Sequence, residues 1–187
     1  TFAGMQGATS VVFNPSDETI GYLTNTNNEI IRFSPIIWDL VPDVLPITQA
    51  ENITFNGLAR IRYSSINTNY GSKVCVADTN NNRVVRFLTT ADGKDPLTNS
   101  LAVNASSPID MAFTLNNLIT LSNADSKVSV HRITSDTSTH LMDFGKAGNG
   151  AGEFNSPISV YFNDKDLFIL EATRLQVIRS GQDDWLK

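Results

Sequence analysis

The chain has 187 residues, 41% hydrophobic and 18% charged, which excludes a disordered segment and allows one domain with a core. The net charge is -5 and no block of Lys and Arg offsets it, which argues against binding a nucleic-acid backbone. No apolar run approaches the ~20 residues of a membrane span, and the single cysteine, Cys75, excludes a disulfide within the chain.

The predicted elements are short strands separated by polar turns. Thr9 to Phe13 reads as a strand closed by Asn14-Pro15-Ser16-Asp17. Ile20 to Phe33 reads as strand, Asn-rich turn, strand. Pro35 to Pro46 holds three prolines and is a connection, not a helix. It is the longest insertion between strands, so its Ile37 and Trp38 are candidates for a contact surface, as is Trp185 near the other end. Val44 to Thr48 is extended, and Asn52-Ile53-Thr54 is a glycosylation sequon.

Leu58 to Tyr63 is the next strand, and Val74 to Phe87 is the clearest strand–turn–strand unit. Val74 and Val76 share one face of its first strand, and Val85 and Phe87 one face of its second. Cys75 lies mid-strand, as a small buried hydrophobe. Ser100 to Asn104 is extended and runs into a second sequon, Asn104-Ala105-Ser106. Strands follow at Ile109 to Phe113, in a third unit Ile119 to Val130 with a shorter turn, and at Thr139 to Phe144. Gly145, Gly148, Gly150 and Gly152 are expected to take positive φ on the way to Pro157. Ile158 to Phe162 and a fourth, still shorter unit, Leu167 to Ile178, complete the order.

The strand–turn–strand unit is an internal repeat. The first copy aligns with the second without a gap, matching Asn27-Asn28 to Asn81-Asn82 and Arg32-Phe33 to Arg86-Phe87. Glu29, Arg83, Lys127 and Arg174 correspond, at spacings of 54, 44 and 47 residues. With a preceding and a following strand, each repeat holds four strands, so the fold class is all-β. The expected architecture is a β-propeller of about four four-stranded antiparallel blades, over residues 5–50, 51–105, 106–152 and 153–187, with an N-terminal strand at 1–4. Phe2 is expected beside Trp185-Leu186. The chain is then part of a larger ring, a self-closed ring, or a subunit of a ring or stack shared with other chains. An open array would self-associate through its unpaired edges.

Two stretches resemble the NHL repeat family. One is Val76-Ala77-Asp78-Thr79-Asn80-Asn81-Asn82-Arg83-Val84; the other runs from Phe144-Gly145 through Phe154 and Pro157 to Val160. The array diverges from the family pattern: Glu29 and Lys127 replace the Arg, and Asn25, Asn123 and Glu171 replace the Asp. The resemblance implies a propeller in which Asp78, Asn82, Arg83, Arg174, Gly145, Gly148, Gly152 and Pro157 are structural. It also implies two enzymatic alternatives. Amidating lyases of this kind hold a metal with histidines, and lactonase-like propellers hold calcium with acids and amides.

The chain has two histidines, His131 and His140, on different strands of one repeat, whereas a catalytic zinc takes three protein ligands. Calcium is less easily excluded, because Asp78, Asn80, Asn82, Asn123, Asp125, Asn163, Asp164, Asp166 and Glu171 are oxygen ligands in loops. The Gly-rich stretch lacks the Lys-Ser/Thr of a phosphate loop, and no nucleophile motif is present. The expectation is therefore a non-enzymatic scaffold for protein partners or self-association, extracellular or at the cell surface, with glycans on Asn52 and Asn104. It carries no cofactor unless calcium binds. The alternative is a calcium- or zinc-dependent hydrolase or lyase whose remaining blades lie outside this chain.

Overall fold

A computed structural model describes residues 5–15, 17–33, 43–44, 53–64, 72–89, 98–134 and 137–179. Ile37, Trp38, Asn52, Trp185 and the expected strand at 1–4 lie outside them. The described residues form four antiparallel sheets whose strands follow chain order. The first holds β1 (Ala8–Asn14), β2 (Asp17–Asn25), β3 (Ile30–Phe33) and β4 (Asp43–Val44). The second holds β5 (Leu58–Ser64), β6 (Ser72–Asp78), β7 (Arg83–Thr89) and β8 (Thr98–Asn104). The third holds β9 (Pro108–Phe113), β10 (Asn117–Ser122), β11 (Lys127–Ile133) and β12 (Ser138–Phe144). The fourth holds β13 (Pro157–Phe162), β14 (Asp166–Glu171) and β15 (Leu175–Arg179). A 3-10 turn at Thr79–Asn81 is the helical element among the described residues.

The period of two along each strand decides the packing. Alternate residues point to opposite faces, and the inner strands of the second and third sheets are largely apolar on both. Val74, Val76, Val85 and Phe87 pack with Tyr22 and Ile30 of the first sheet. Cys75, Ala77, Val84 and Val103, from the opposite face, pack with Met111, Leu118 and Ile133 of the third. Ala112, Ile119, Leu121, Val128 and Val130 of the third sheet then meet Val160, Leu167 and Ile169 of the fourth. Three apolar layers thus join four sheets in sequence.

Register corrects two details of the repeat. The third turn is not shorter than the second: Ser122 pairs with Lys127 as Asp78 pairs with Arg83, leaving four residues between in each. Ser122 therefore holds the Asp78 position, and Asn123 is an exposed turn residue. The first copy is not gapless either. Thr24 pairs with Ile30, so its turn is one residue shorter and Asn25 takes the acid's place. Asn25 Oδ1 accepts the N–H groups of Asn27 and Glu29, each at 3.0 Å. A one-residue slip turns every side chain to the other face, so the apolar layers fix these registers where residue identity alone does not.

The residue before each first strand has positive φ: Gly7 at 71°, Gly57 at 73°, Ser107 at 36° and Ser156 at 52°. A serine there carries strain that glycine does not. Ser156 is exposed, so Ser156→Gly should raise stability by roughly 0.5 kcal/mol in chemical denaturation. Gly57→Ala should do the reverse, by about 1 kcal/mol or more, because its Cβ would lie 2.6 Å from the Asn80 amide.

Candidate functional site

The residues of the repeat motif close a network at one end of each hairpin. In the second sheet Asp78 is fully buried; its Oδ2 accepts Arg83 Nε at 2.7 Å and its Oδ1 accepts the Asn56 N–H at 2.8 Å. Arg83 also donates to the Thr54 carbonyl at 2.9 Å. The fourth sheet repeats this. Glu171 accepts from Arg174 and from the Asn155 N–H, and Arg174 donates to the Glu153 carbonyl at 2.7 Å. The Arg174 guanidinium holds the Glu171 carboxyl below the ordinary carboxylate range. Asn82, at φ 53°, crosses to the next sheet, where its Oδ1 accepts the Ser107 N–H at 2.9 Å. Asn28 does the same for Gly57 at 2.6 Å. Gly145, Gly148 and Gly152 take positive φ, but Gly150 does not; its N–H donates to Glu153 Oε2 at 2.9 Å. Pro157 opens β13 and is buried.

Sequence reasoning missed a second polar centre. Asp110 interrupts the apolar strand β9 and is fully buried. Arg62 of β5 grips it with two hydrogen bonds of 2.9 and 2.8 Å, and Arg60 stands 3.5 Å away. From β13, the Val160 N–H donates to Asp110 Oδ2 at 3.0 Å and Ser159 adds its hydroxyl. One carboxylate thereby joins three sheets. The signal was present: a lone acid between Ile109 and Met111 has to find buried donors.

The third feature is an open cleft of about 500 Å³ between the Asn81-Asn82 turn, the end of β8 and the outer strands of the third sheet. Lys127, Ser129 and His131, alternate residues of β11, line it with His140 and Asp143 of β12 and the sequon residue Asn104. The two histidine rings meet edge to face at 5.3 Å, a contact that their separate strands did not suggest. His140 Nε2 lies 2.8 Å from Asp143 Oδ1, and Lys127 Nζ donates to Asp143 Oδ2 at 3.0 Å. Burial pulls the Asp143 carboxyl upward, but hydrogen bonds from Ser129, His140 and Lys127 outweigh it and hold it well below the usual range. Burial, with the neighbouring His140, lowers His131 to about 4, so its ring is neutral near pH 7.

This cleft lacks the geometry of nucleophilic catalysis: Ser129 bonds the Asp143 carboxylate, not a histidine that could take its proton. Cys75 is elsewhere, 1% exposed, and burial pushes its thiol up to about 12. Among the described residues no three His, Cys, Asp or Glu side chains gather in a way that could hold a metal ion. The calcium candidates are dispersed: Asp78 and Glu171 are bound to arginines, while Asn123, Asp125, Asn163 and Asp164 are exposed in turns of different sheets. No described helix is long and apolar enough to cross a membrane.

The fold and these polar centres define an all-β protein of four antiparallel sheets in a row. The chain is similar to the crystal structure of the computationally designed Ika4 protein, at 14% identity and a TM-score of 0.59, over 97% of this chain and 96% of that one. At that identity the likeness concerns the fold alone. No family model and no curated protein matches the sequence.

Two predictions follow from the polar centres. Asp110→Ala leaves two arginines, the Val160 and Met111 N–H groups and the Ser159 hydroxyl without their acceptor, so stability should fall by about 3 kcal/mol in denaturant titration. The second concerns pH. His131 binds its proton at about 4 when folded but near 6.5 when unfolded, so the unfolded chain holds more protons between those values. Its contribution is complete above pH 6.5 and is lost as pH falls toward 4. Melting temperatures should decline across that window, and His131→Phe should flatten the decline.

Proposed function

We propose that this chain is a propeller-type repeat scaffold, related to NHL propellers, that acts through contacts with protein partners and not through catalysis. Its four sheets are then blades, over 5–50, 51–105, 106–152 and 153–187. The supporting observation is the fate of the buried acids. Asp78, Asp110 and Glu171 are the groups that could serve as bases or metal ligands, and each is held by arginine and backbone donors within the scaffold. A carboxylate so engaged is a poor proton acceptor and a poor ligand. The sequons at Asn52 and Asn104 fit a secreted or cell-surface scaffold, and Asn104 is exposed at the end of β8.

The competing reading is a calcium- or zinc-dependent hydrolase or lyase, and metal analysis separates the two. Protein purified without chelators should contain no stoichiometric calcium or zinc, and EDTA should leave its melting temperature unchanged. One equivalent of either metal, with a melting temperature that falls on chelation, would favour the enzyme. Intact-mass analysis of native material should show glycan on Asn52 or Asn104; bare asparagines at both would remove the extracellular assignment.

A further inference from the structure

We infer that the outward faces of the first and fourth sheets are two halves of one interface, and that a second copy of this chain docks there head to tail. The inference rests on the scaffold reading and names its partner. Each contact between neighbouring sheets pairs a forward-facing set of residues with a backward-facing set. In the third sheet the forward set is Ala112, Ile119, Leu121, Val128 and Val130, between 0% and 6% exposed under the fourth sheet.

Register places Tyr161, Phe168, Leu170, Leu175 and Val177 at the same positions of the fourth sheet. Tyr161, Phe168 and Val177 form one row across its strands, as Ala112, Ile119 and Val130 do in the third. Leu170 pairs with Leu175 as Leu121 pairs with Val128. Here, however, four of the five are open: Tyr161 is 60% exposed, Leu170 46%, Leu175 56% and Val177 47%, while Phe168 is half-buried with its ring beside that of Tyr161. Single exposed apolar residues are ordinary. A contiguous set, in register and at the positions that are core in the preceding sheet, marks an interaction surface.

The other end is complementary. The backward-facing position near the start of each first strand is Val11, Ile61, Met111 and Val160 in the four sheets. The last three are at most 1% exposed, while Val11 is 54% exposed and Phe13 beside it 44%. Phe13 and Phe33 meet edge to face at 5.6 Å, so this end presents a preformed aromatic patch. Leu23 and Ile31 on the same face are already buried, so the open area lies along β1.

The occupant follows from the pattern of contact inside the chain. A forward face takes the first strand of a following sheet, and the unfilled set of that kind among the described residues belongs to β1. The two faces differ, so the contact is heterologous and closes a ring or propagates, according to the rotation between copies.

Light scattering on the intact chain at about 100 μM, a concentration that populates even micromolar complexes, tests this. The expected mass is twice 20.5 kDa or a higher multiple. Leu175→Glu and, separately, Val11→Glu should each weaken association about tenfold or more. Tyr161→Lys is the second variant for the fourth-sheet face. All three residues are exposed, so thermal melts should match the parent and exclude misfolding as the cause. An equimolar mixture of Leu175→Glu and Val11→Glu retains one intact pairing and should recover dimers. A mass of 20.5 kDa throughout the concentration range overturns the inference. So does association that survives Val11→Glu, because it would join like faces. A monomer without bound metal removes the second copy and leaves the scaffold reading in place; a metal-loaded monomer removes both.

Discussion

The inner strands of the second and third sheets have almost no solvent face. They send alternate side chains to the sheet before and the sheet after, and both sets are largely apolar. That requirement governs most of the remaining structure. It makes register costly to change, because a slip by one residue would exchange forward and backward sets in a whole strand. It also confines polar chemistry to hairpin turns, to cleft rims and to the few acids that bring their own donors inside.

Asp110 shows how such an acid is tolerated. A buried carboxylate is destabilising unless charge and hydrogen bonds are both supplied. Here Arg62 supplies the charge from one neighbouring sheet, and Val160 and Ser159 supply donors from the other. In the first sheet the same position is Ser10, whose hydroxyl accepts the Ile61 N–H at 3.2 Å, a neutral version of the Asp110–Val160 link. In the second it is Arg60, which cannot accept, and Met111 instead bonds the side chain of Asp110 before it in sequence. This backbone-to-side-chain link between first strands therefore depends on the residue at the position: Ser10 and Asp110 make it, and Arg60 does not.

Much of this was legible in the sequence, and what was not has physical reasons. The strands were readable because alternation of Val, Ile and Phe against polar residues is a local signal. The pairing of Asp78 with Arg83 was readable because both flank one turn. The lead-in was less visible: Thr54-Phe55-Asn56-Gly57 and Glu153-Phe154-Asn155-Ser156 are copies whose Phe rings are buried and whose Asn N–H groups meet the motif acid. The other two sheets have Met5-Gln6-Gly7 and Ala105-Ser106-Ser107 there, so identity is lost while the positive φ is kept. The cleft of His131, His140 and Asp143 was illegible because it depends on how β11 pairs with β12, where the register shifts between Val130 and His131.

Measured at the third strands, the repeat looks irregular, with spacings of 54, 44 and 47 residues. Measured at the third residue of each first strand, Ser10, Arg60, Asp110 and Ser159, it is 50, 50 and 49. The difference has a mechanical origin. First strands touch their counterparts in adjacent sheets, through Thr9 to the Leu58 carbonyl, Ser10 to Ile61, Arg62 to Asp110 and Asp110 to Val160. They must therefore keep one geometry. Most of the variation lies between first and second strands, which seven residues separate from Ser64 to Ser72 but three from Phe113 to Asn117, and the hairpin turns after the second strands add one or two residues more. An insertion in one turn is offset before the next first strand begins, so the chain conserves its packing period while its hairpins vary. The uncovered face along β1 follows from the same rule: the residue after each of these positions, Val11, Ile61, Met111 and Val160, is apolar in all four sheets, although Val11 alone of the four is exposed.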